Sequence, residues 1–490
     1  MSGLVVGVDS STQSVKVVVR DLETGVLIGE ARRPHPPGTE VDPREWWSAL
    51  TQAVAELTGI LRTAGRPVTG LGVAAQQHGL VMLGADGELT RAALLWNDTR
   101  AAAAAASLVA EARGPAMWAQ RCGSVPVAAF TVAKARWVAE HDPVALAATR
   151  GLCLPHDWLT ACLASPHLST NGAPRVDPPT TDRGDASGTG YFDPVSATYD
   201  RELLALAIGD RAWDLDLPRV VDPAAHAGVI ARTDLADGLL DGVPLSAGTG
   251  DNMAAALGTG ARTGDVVVSL GTSGTAYAVS GTPTQDPSGA VAGFADATGG
   301  FLPLVCTLNA ARVLDATAEL LGLDQPQLAA AALSAPAGAG GCVLLPYLDG
   351  ERTPNLPDAT GTLFGLTRET LTPAMIARAA VEGMLCGLAD AVDALIAQGV
   401  AVERILLIGG AAASPAVQEV ARTVVNVPVI VPPPAEYVAD GAARQAAWAV
   451  SGVIPPPDWG TTGDPVSLDP MPIGRVREQY AQARDRLHPR

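Results

Sequence analysis

The chain opens on an apolar run, LVVGV at 4–8, followed by small polar residues from Asp9 to Ser14 and a second apolar run, VKVVV at 15–19. Two strand-forming runs around a tight polar turn predict a β-hairpin. The pattern returns at 266–279, where VVVSL precedes Gly271-Thr272-Ser273-Gly274 and TAYAV follows. Laid over one another, Asp9 meets Ser269 and Ser11-Thr12 meets Gly271-Thr272. One such hairpin carries little weight, because apolar strands around Gly/Ser/Thr turns are common. Two, each opening one half of the chain, predict a duplicated domain with the ligand held between the copies. Helical spacing at 44–61 and 378–396 alternates with short apolar strands at 70–74 and 405–408, which is α/β patterning. Ala101 to Ala112 is helical by propensity, and the Pro-, Ser- and Thr-rich stretch 165–181 reads as a surface loop.

Length and charge narrow the picture. At 490 residues the chain exceeds the roughly 250–300 residues at which single cores stop growing, so two domains are expected, 1–245 and 246–490. An apolar fraction of 48% and mean hydropathy of +0.21 can fill both cores. A net charge of −18 would repel phosphate backbones and anionic lipid, so no nucleic-acid or membrane partner is expected. No run of about 18 apolar residues suggests a span, and no secretory start is present, so a cytoplasmic location is the default expectation. The six cysteines form no C-x-x-C pair, which points to buried thiols rather than a disulfide or zinc framework. Lys16 and Lys134 are the only lysines. Neither follows a glycine, which excludes a Walker-type phosphate loop, and their scarcity is read as coding bias.

Chemistry concentrates in the turns. Sharp turns between strands expose successive backbone N–H groups, and small hydroxyl residues add donors without blocking a phosphate. Two hairpins could therefore clamp a triphosphate, with Asp9 holding Mg²⁺ directly or through water. The commoner role for such an aspartate is to bond its own turn. In the segment 245–260, Asp251-Asn252 follows a glycine turn at the start of a helix-prone run. Alone this reads best as an N-cap; the second hairpin shortly afterwards makes a hydroxyl-activating base the sharper reading. The strand 405–408 ends in Gly409-Gly410, with a helix expected near Ser414, a corner that nucleotides favour and that plain turns share.

These landmarks resemble the FGGY carbohydrate kinases over essentially the whole chain. Asp9 to Thr12 and Gly271 to Gly274 match that family's phosphate hairpins, and Gly248 to Asn252 its catalytic segment. Thr131, Lys134 and Trp137 fit one family signature; Gly361 to Leu366 with Ala379 to Glu382 fit the other. Within the family, Gln76 to Gly79, Trp96 to Arg100, Asp182 to Gly188 and Gly350 to Pro354 look most like the xylulokinase branch. Departures include Gln77, where methionine is usual, Ser11 and Ser14 in place of glycines, Ala135, and Ala411 and Ala413 beside the diglycine.

The resemblance implies two actin-like (ribonuclease H-like) domains with a ligand cleft between them and ATP-dependent, Mg²⁺-assisted phosphorylation of D-xylulose at its 5-hydroxyl. It implies Asp251 as general base and Asp9 as catalytic metal site. The sugar would meet Gln77, His78, Trp96, Asp251 and Asn252, and the nucleotide Ser11, Thr12, Gly271, Thr272, Ser273, Gly409, Gly410 and Ser414. An aspartate at an ordinary pKa of about 3.9 would already be ionised, so the role needs no tuning of Asp251. Taken without the resemblance, His78 reads as a satisfied, partly buried histidine. Glycerol fits poorly, since glycerol kinases carry an arginine and a glutamate at the 76–79 segment. Another ketose, a pentitol or gluconate stays open as acceptor, and so does a homodimer. An actin-like ATPase regulator or chaperone module is the alternative of another class; it would have no reason to carry His78, Asp251 and Asn252.

Overall fold

The computed structural model describes residues 3–166, 179–452, 455–460 and 463–489; most of the expected loop at 165–181 lies outside them. The chain forms two compact units, one of Met1–Gly260, Gly281–Leu302 and Ala435–Gly460, the other of Ala261–Ser280, Pro303–Pro434 and Thr461–Arg490.

In the first unit the opening hairpin forms as expected. Strand Leu4–Ser10 runs antiparallel to Ser14–Asp21, with Asp9 opposite Lys16, and parallel to Val68–Ala75. These are the centre of a seven-stranded sheet. Helix Pro43–Ala64 covers one face, its apolar stripe of Trp46, Leu50, Val54 and Leu57 joining Val6, Val8 and Trp158 in the core. Pro43 in the first turn and the Asp42 side chain accepting from the Arg44 N–H start that helix, and Gly65 in the left-handed region ends it. The other face carries helix Tyr437–Ser451, whose contacts are almost all small: Ala439, Ala443, Ala446 and Ala447 pack on Val5 and Val18. The approach is so close that a Cβ on Gly7 would stand 1.9 Å from the Ala439 carbonyl oxygen.

The second unit repeats the plan. Strand Asp265–Leu270 is antiparallel to Gly274–Ala278 and parallel to Arg404–Ile408, the same two relations as in the first hairpin. In both units the parallel strand follows a long helix, Pro43–Ala64 or Pro373–Ala397. The turns differ by one residue, since Ser10 pairs with Val15 but Leu270 with Gly274. Asp9 and Ser269 each stand one residue before the closing pair, so the two hairpins are equivalent in position while only the first carries a carboxylate. Among the described residues no helix is long and apolar enough to cross a membrane.

Candidate active site

The site residues read from the sequence fall on both units. In the first, Asp9 is the penultimate residue of its strand rather than part of the turn, and is 1% exposed. It accepts a 2.5 Å hydrogen bond from the Ser11 hydroxyl, and Lys16 Nζ, itself paired with Glu436 at 2.6 Å, stands 3.6 Å away. Burial raises the Asp9 carboxyl to about 6 against the lowering pull of Lys16. The Thr12 hydroxyl accepts from Trp96 Nε1 at 2.8 Å and donates to Gln76 Oε1 at 3.3 Å. The first turn is thereby tied to two segments expected on the sugar side.

Asp251 is not the N-cap that its segment alone suggests. Gly250, with extended backbone, holds that position, and Asp251 is the first residue of helix Asp251–Gly258. Its Oδ1 accepts from the backbone N–H of Asn252 at 2.8 Å and from Asn252 Nδ2 at 2.9 Å. The chemistry needs no tuning of this aspartate, yet its surroundings shift it. Burial first, and the charge of Asp9 second, raise Asp251 to about 7. Composition and spacing carry no measure of burial, and it takes the fold to bring Asp9 and Asp251, far apart in sequence, into one field. Asn252 Nδ2 reaches Gln77 Oε1 at 3.5 Å, and the Gln77 stem packs on Gly250 so closely that a Cβ there would lie 2.6 Å from Cγ. Gln77 Nε2 is buried and makes no hydrogen bond, an amide donor suited to a ligand oxygen.

His78 follows in the left-handed region, φ 67, a conformation that non-glycine residues hold only when their surroundings over-determine it. Those surroundings are identifiable. Its carbonyl accepts from the Thr131 hydroxyl at 3.1 Å and from Lys134 Nζ at 3.2 Å, while its ring Nδ1 donates to the Gly188 carbonyl at 2.6 Å and the ring stacks on Phe130. Two residues of the sequence signature, Thr131 and Lys134, thus fix the backbone of the next motif. Lys134 is fully buried, with the Ala129 carbonyl as a further partner. Reading the two lysines as coding bias missed this: one faces Asp9 and the other holds His78.

The floor beneath Asp251 comes from two buried networks. Gln445 Oε1 accepts from Gly248 N at 2.8 Å and Ser246 Oγ at 3.1 Å, and its Nε2 donates to the Gly248 carbonyl at 3.0 Å. On the other side His156, Asp157 and Asp185 bring their ligand atoms within 4.8 Å of one another. His156 Nδ1 lies 2.6 Å from Asp185 Oδ2, a direct hydrogen bond, so a proton holds this pair together. Burial opposes the imidazolium, yet Asp157 and Asp185 raise His156 to about 10.

In the second unit the turn Gly271–Ser273 is flanked by Arg312, whose Nε donates to the Thr272 carbonyl at 3.2 Å and whose Nη2 reaches Ser273 Oγ at 3.4 Å. The sequence reading did not include Arg312. Gly409, φ 95, abuts the Leu270 backbone, where a Cβ would lie 2.6 Å from the carbonyl oxygen; Gly410 has open space before it. Ser414 precedes helix Pro415–Val424 at its N-cap. The hairpin turn and the diglycine corner are therefore neighbours within one unit, since Ser269 pairs with Ile408.

This arrangement, with repeated small-residue hairpins and paired buried carboxylates beside one of them, agrees with what the comparisons give. The FGGY family of carbohydrate kinases matches through its N-terminal domain at residues 4–258 and its C-terminal domain at 266–450. The chain belongs to the FGGY carbohydrate kinases. It is 45% identical over 471 residues to a xylulose kinase of Streptomyces coelicolor, covering 94% of this chain and 92% of that one. The solved xylulose kinase from Bifidobacterium adolescentis is 43% identical, with a TM-score of 0.88 and 99% of each chain covered. A gluconate kinase from Lactobacillus acidophilus superposes with a TM-score of 0.87 at 22% identity, so the fold is shared by kinases named for different acceptors and does not choose among them. The two-domain FGGY kinase fold expected from the sequence is the one found, and ATP as phosphoryl donor follows from the family.

Proposed function

We infer that this FGGY kinase transfers the γ-phosphoryl group of ATP to the 5-hydroxyl of D-xylulose, with Asp251 accepting the hydroxyl proton. The observation that carries the choice of acceptor is the whole-length similarity to xylulose kinases at 45% and 43% identity. The site supplies the chemistry. Phosphoryl transfer asks the protein mainly for positioning, charge neutralisation and a proton acceptor. A carboxylate with a pKa near 7 is a better base for a hydroxyl at neutral pH than one near 4, because about half of it is still ionised and it holds the proton more firmly. His78, Gln77, Asn252 and Trp96 would orient the ketose, and the Gln77 amide offers a donor to a sugar oxygen. Ser11 and Thr12, and Gly271, Thr272 and Ser273, would hold the phosphates, with Gly409, Gly410 and Ser414 on the adenosine side. In this reading residues 1–245 carry the first phosphate hairpin and most of the sugar contacts, and residues 246–490 add Asp251, Asn252, the second hairpin and the adenosine side. ADP release across D-xylulose, D-ribulose, L-xylulose, pentitols, gluconate and glycerol tests the assignment. D-xylulose should be fastest, and a clear preference for any other acceptor retires it.

Two buried carboxylates in one field, Asp9 and Asp251, are an electrostatic arrangement that a divalent cation relieves, so the donor set fits Mg²⁺ at Asp9. A bound Mg²⁺ would neutralise phosphate charge; Asp9 would hold it, while Ser11 and Lys16 keep the carboxylate oriented. Asp9→Asn should therefore raise the Mg²⁺ concentration needed for half-maximal rate about tenfold or more, with partial recovery at high Mg²⁺. An unchanged Mg²⁺ requirement would remove Asp9 from the metal.

A further inference from the structure

The segment Asp182–Gly188 touches both halves of the sugar site and is buried throughout except Arg183, which is half-buried. At its start Asp182 caps the short helix Arg183–Ser187, accepting from Gly184 N at 2.9 Å and Asp185 N at 2.8 Å. The same carboxylate accepts from the Thr249 hydroxyl at 2.8 Å, two residues before Asp251. At its end the Gly188 carbonyl accepts a hydrogen bond from His78 Nδ1. A carbonyl can only accept, so this bond fixes the tautomer of a neutral His78 ring and leaves Nε2 as an acceptor. The middle is pinned from three directions. Asp185 holds His156, whose ring lies against Gly248; Ser187 Oγ accepts from Ala295 N at 3.1 Å; and Arg183 donates to the carbonyls of Pro194 and Gly300.

We propose that Asp182–Gly188 is a rigid bracket setting the spacing between the sugar contact His78 and the base Asp251, with Asp182 and Thr249 as positioning residues for the transfer. Resting on the xylulokinase reading above, it adds residues to which that reading gives no contact with sugar or nucleotide. The physical ground is that a five-residue helix whose N-cap side chain and C-cap carbonyl are both engaged has few soft torsions left to absorb a shift. Displacing a reacting group by about 1 Å costs about 10² in rate. The two ends should fail differently. Losing the Thr249 hydroxyl frees the Asp251 corner and acts on the chemical step, whereas pushing on His78 acts on sugar binding.

Thr249→Val removes the hydroxyl at nearly constant volume, and Thr249→Ser restores it. The expected result is a kcat for Thr249→Val lowered about tenfold or more, with KM for ATP within about twofold, and recovery to within about threefold in Thr249→Ser. A general loss of packing would not be rescued by the smaller serine. A Cβ on Gly188 would sit 2.8 Å from His78 Nδ1, so Gly188→Ala should raise the sugar KM about tenfold with kcat within about threefold. That arm carries the test should Thr249→Val not fold. An undiminished kcat in folded Thr249→Val, failure of serine to rescue, or an unchanged sugar KM in Gly188→Ala overturns the bracket. Asp251→Asn run alongside separates the levels: a fast Asp251→Asn takes down the base and the bracket together, while a slow Asp251→Asn beside a fast Thr249→Val takes down the bracket alone.

Discussion

Asp251→Asn is expected to keep the fold and much of the ligand binding while lowering kcat by about 10² to 10⁴, the range seen when a general base is lost. Asn is nearly isosteric, and its amide oxygen can still accept from the Asn252 N–H, so the start of helix Asp251–Gly258 need not move. The surroundings add a second, independent readout. Because burial and the charge of Asp9 raise Asp251 to about 7, the base form is depleted as pH falls through that value. In the wild-type enzyme kcat/KM for Mg-ATP, which reports the enzyme before nucleotide and metal bind, should fall about tenfold per pH unit below pH 7. The sign follows from the role: a base must be unprotonated, so activity rises with pH through its pKa. Asp251→Asn should lack this limb. A folded Asp251→Asn enzyme within about tenfold of wild type, a barrier change of only ~1.4 kcal/mol, would end the assignment.

Much of this was legible in the sequence, and the reason differs from residue to residue. Both hairpins were visible because each needs two apolar strand-forming runs and a turn of small polar residues, a local pattern that survives without tertiary information. The duplication was visible because the pattern occurs twice. Asp251 was visible only as a choice between cap and base, since a first-turn aspartate satisfies the same local rules in either role; the second hairpin shortly after it moved the choice toward the base, and the family motif agreed. What stayed hidden depends on long-range burial. Nothing local marks Lys134 as a buried clamp on the His78 carbonyl, Gln445 as the reader of Gly248, or His156 as the partner of Asp185. The raised pKa of Asp251 is hidden for the same reason. Helix Tyr437–Ser451 is an extreme case. Its alanines predict a helix well, but small side chains give no direction, and its return to the sheet of the first hairpin is decided by glycines far away at 7 and 258.

Those glycines lead to an expected reversal of helix propensity. On propensity alone, Gly→Ala inside a helix stabilises by about 1 kcal/mol. Gly59 in helix Pro43–Ala64 meets nothing within 4 Å, so Gly59→Ala should raise the thermal midpoint slightly. Gly441 sits in helix Tyr437–Ser451, yet a Cβ there would lie 1.8 Å from the Ala254 carbonyl oxygen and 2.6 Å from its carbon. Both are backbone atoms of helix Asp251–Gly258, which cannot turn aside as a side-chain tip can, so the two helices must separate. Overpacking of this kind costs about 1–3 kcal/mol and sometimes more, enough to outweigh the propensity gain, and Gly441→Ala should lower the midpoint. The moved helix is the one that begins at Asp251. A displacement approaching 1 Å there should also cost up to about 10² in kcat, while Gly59→Ala leaves kcat unchanged. Paired measurements of midpoint and rate on the two variants decide it: a Gly441→Ala enzyme as stable and as fast as Gly59→Ala would mean that the close crossing of these helices does not position the base.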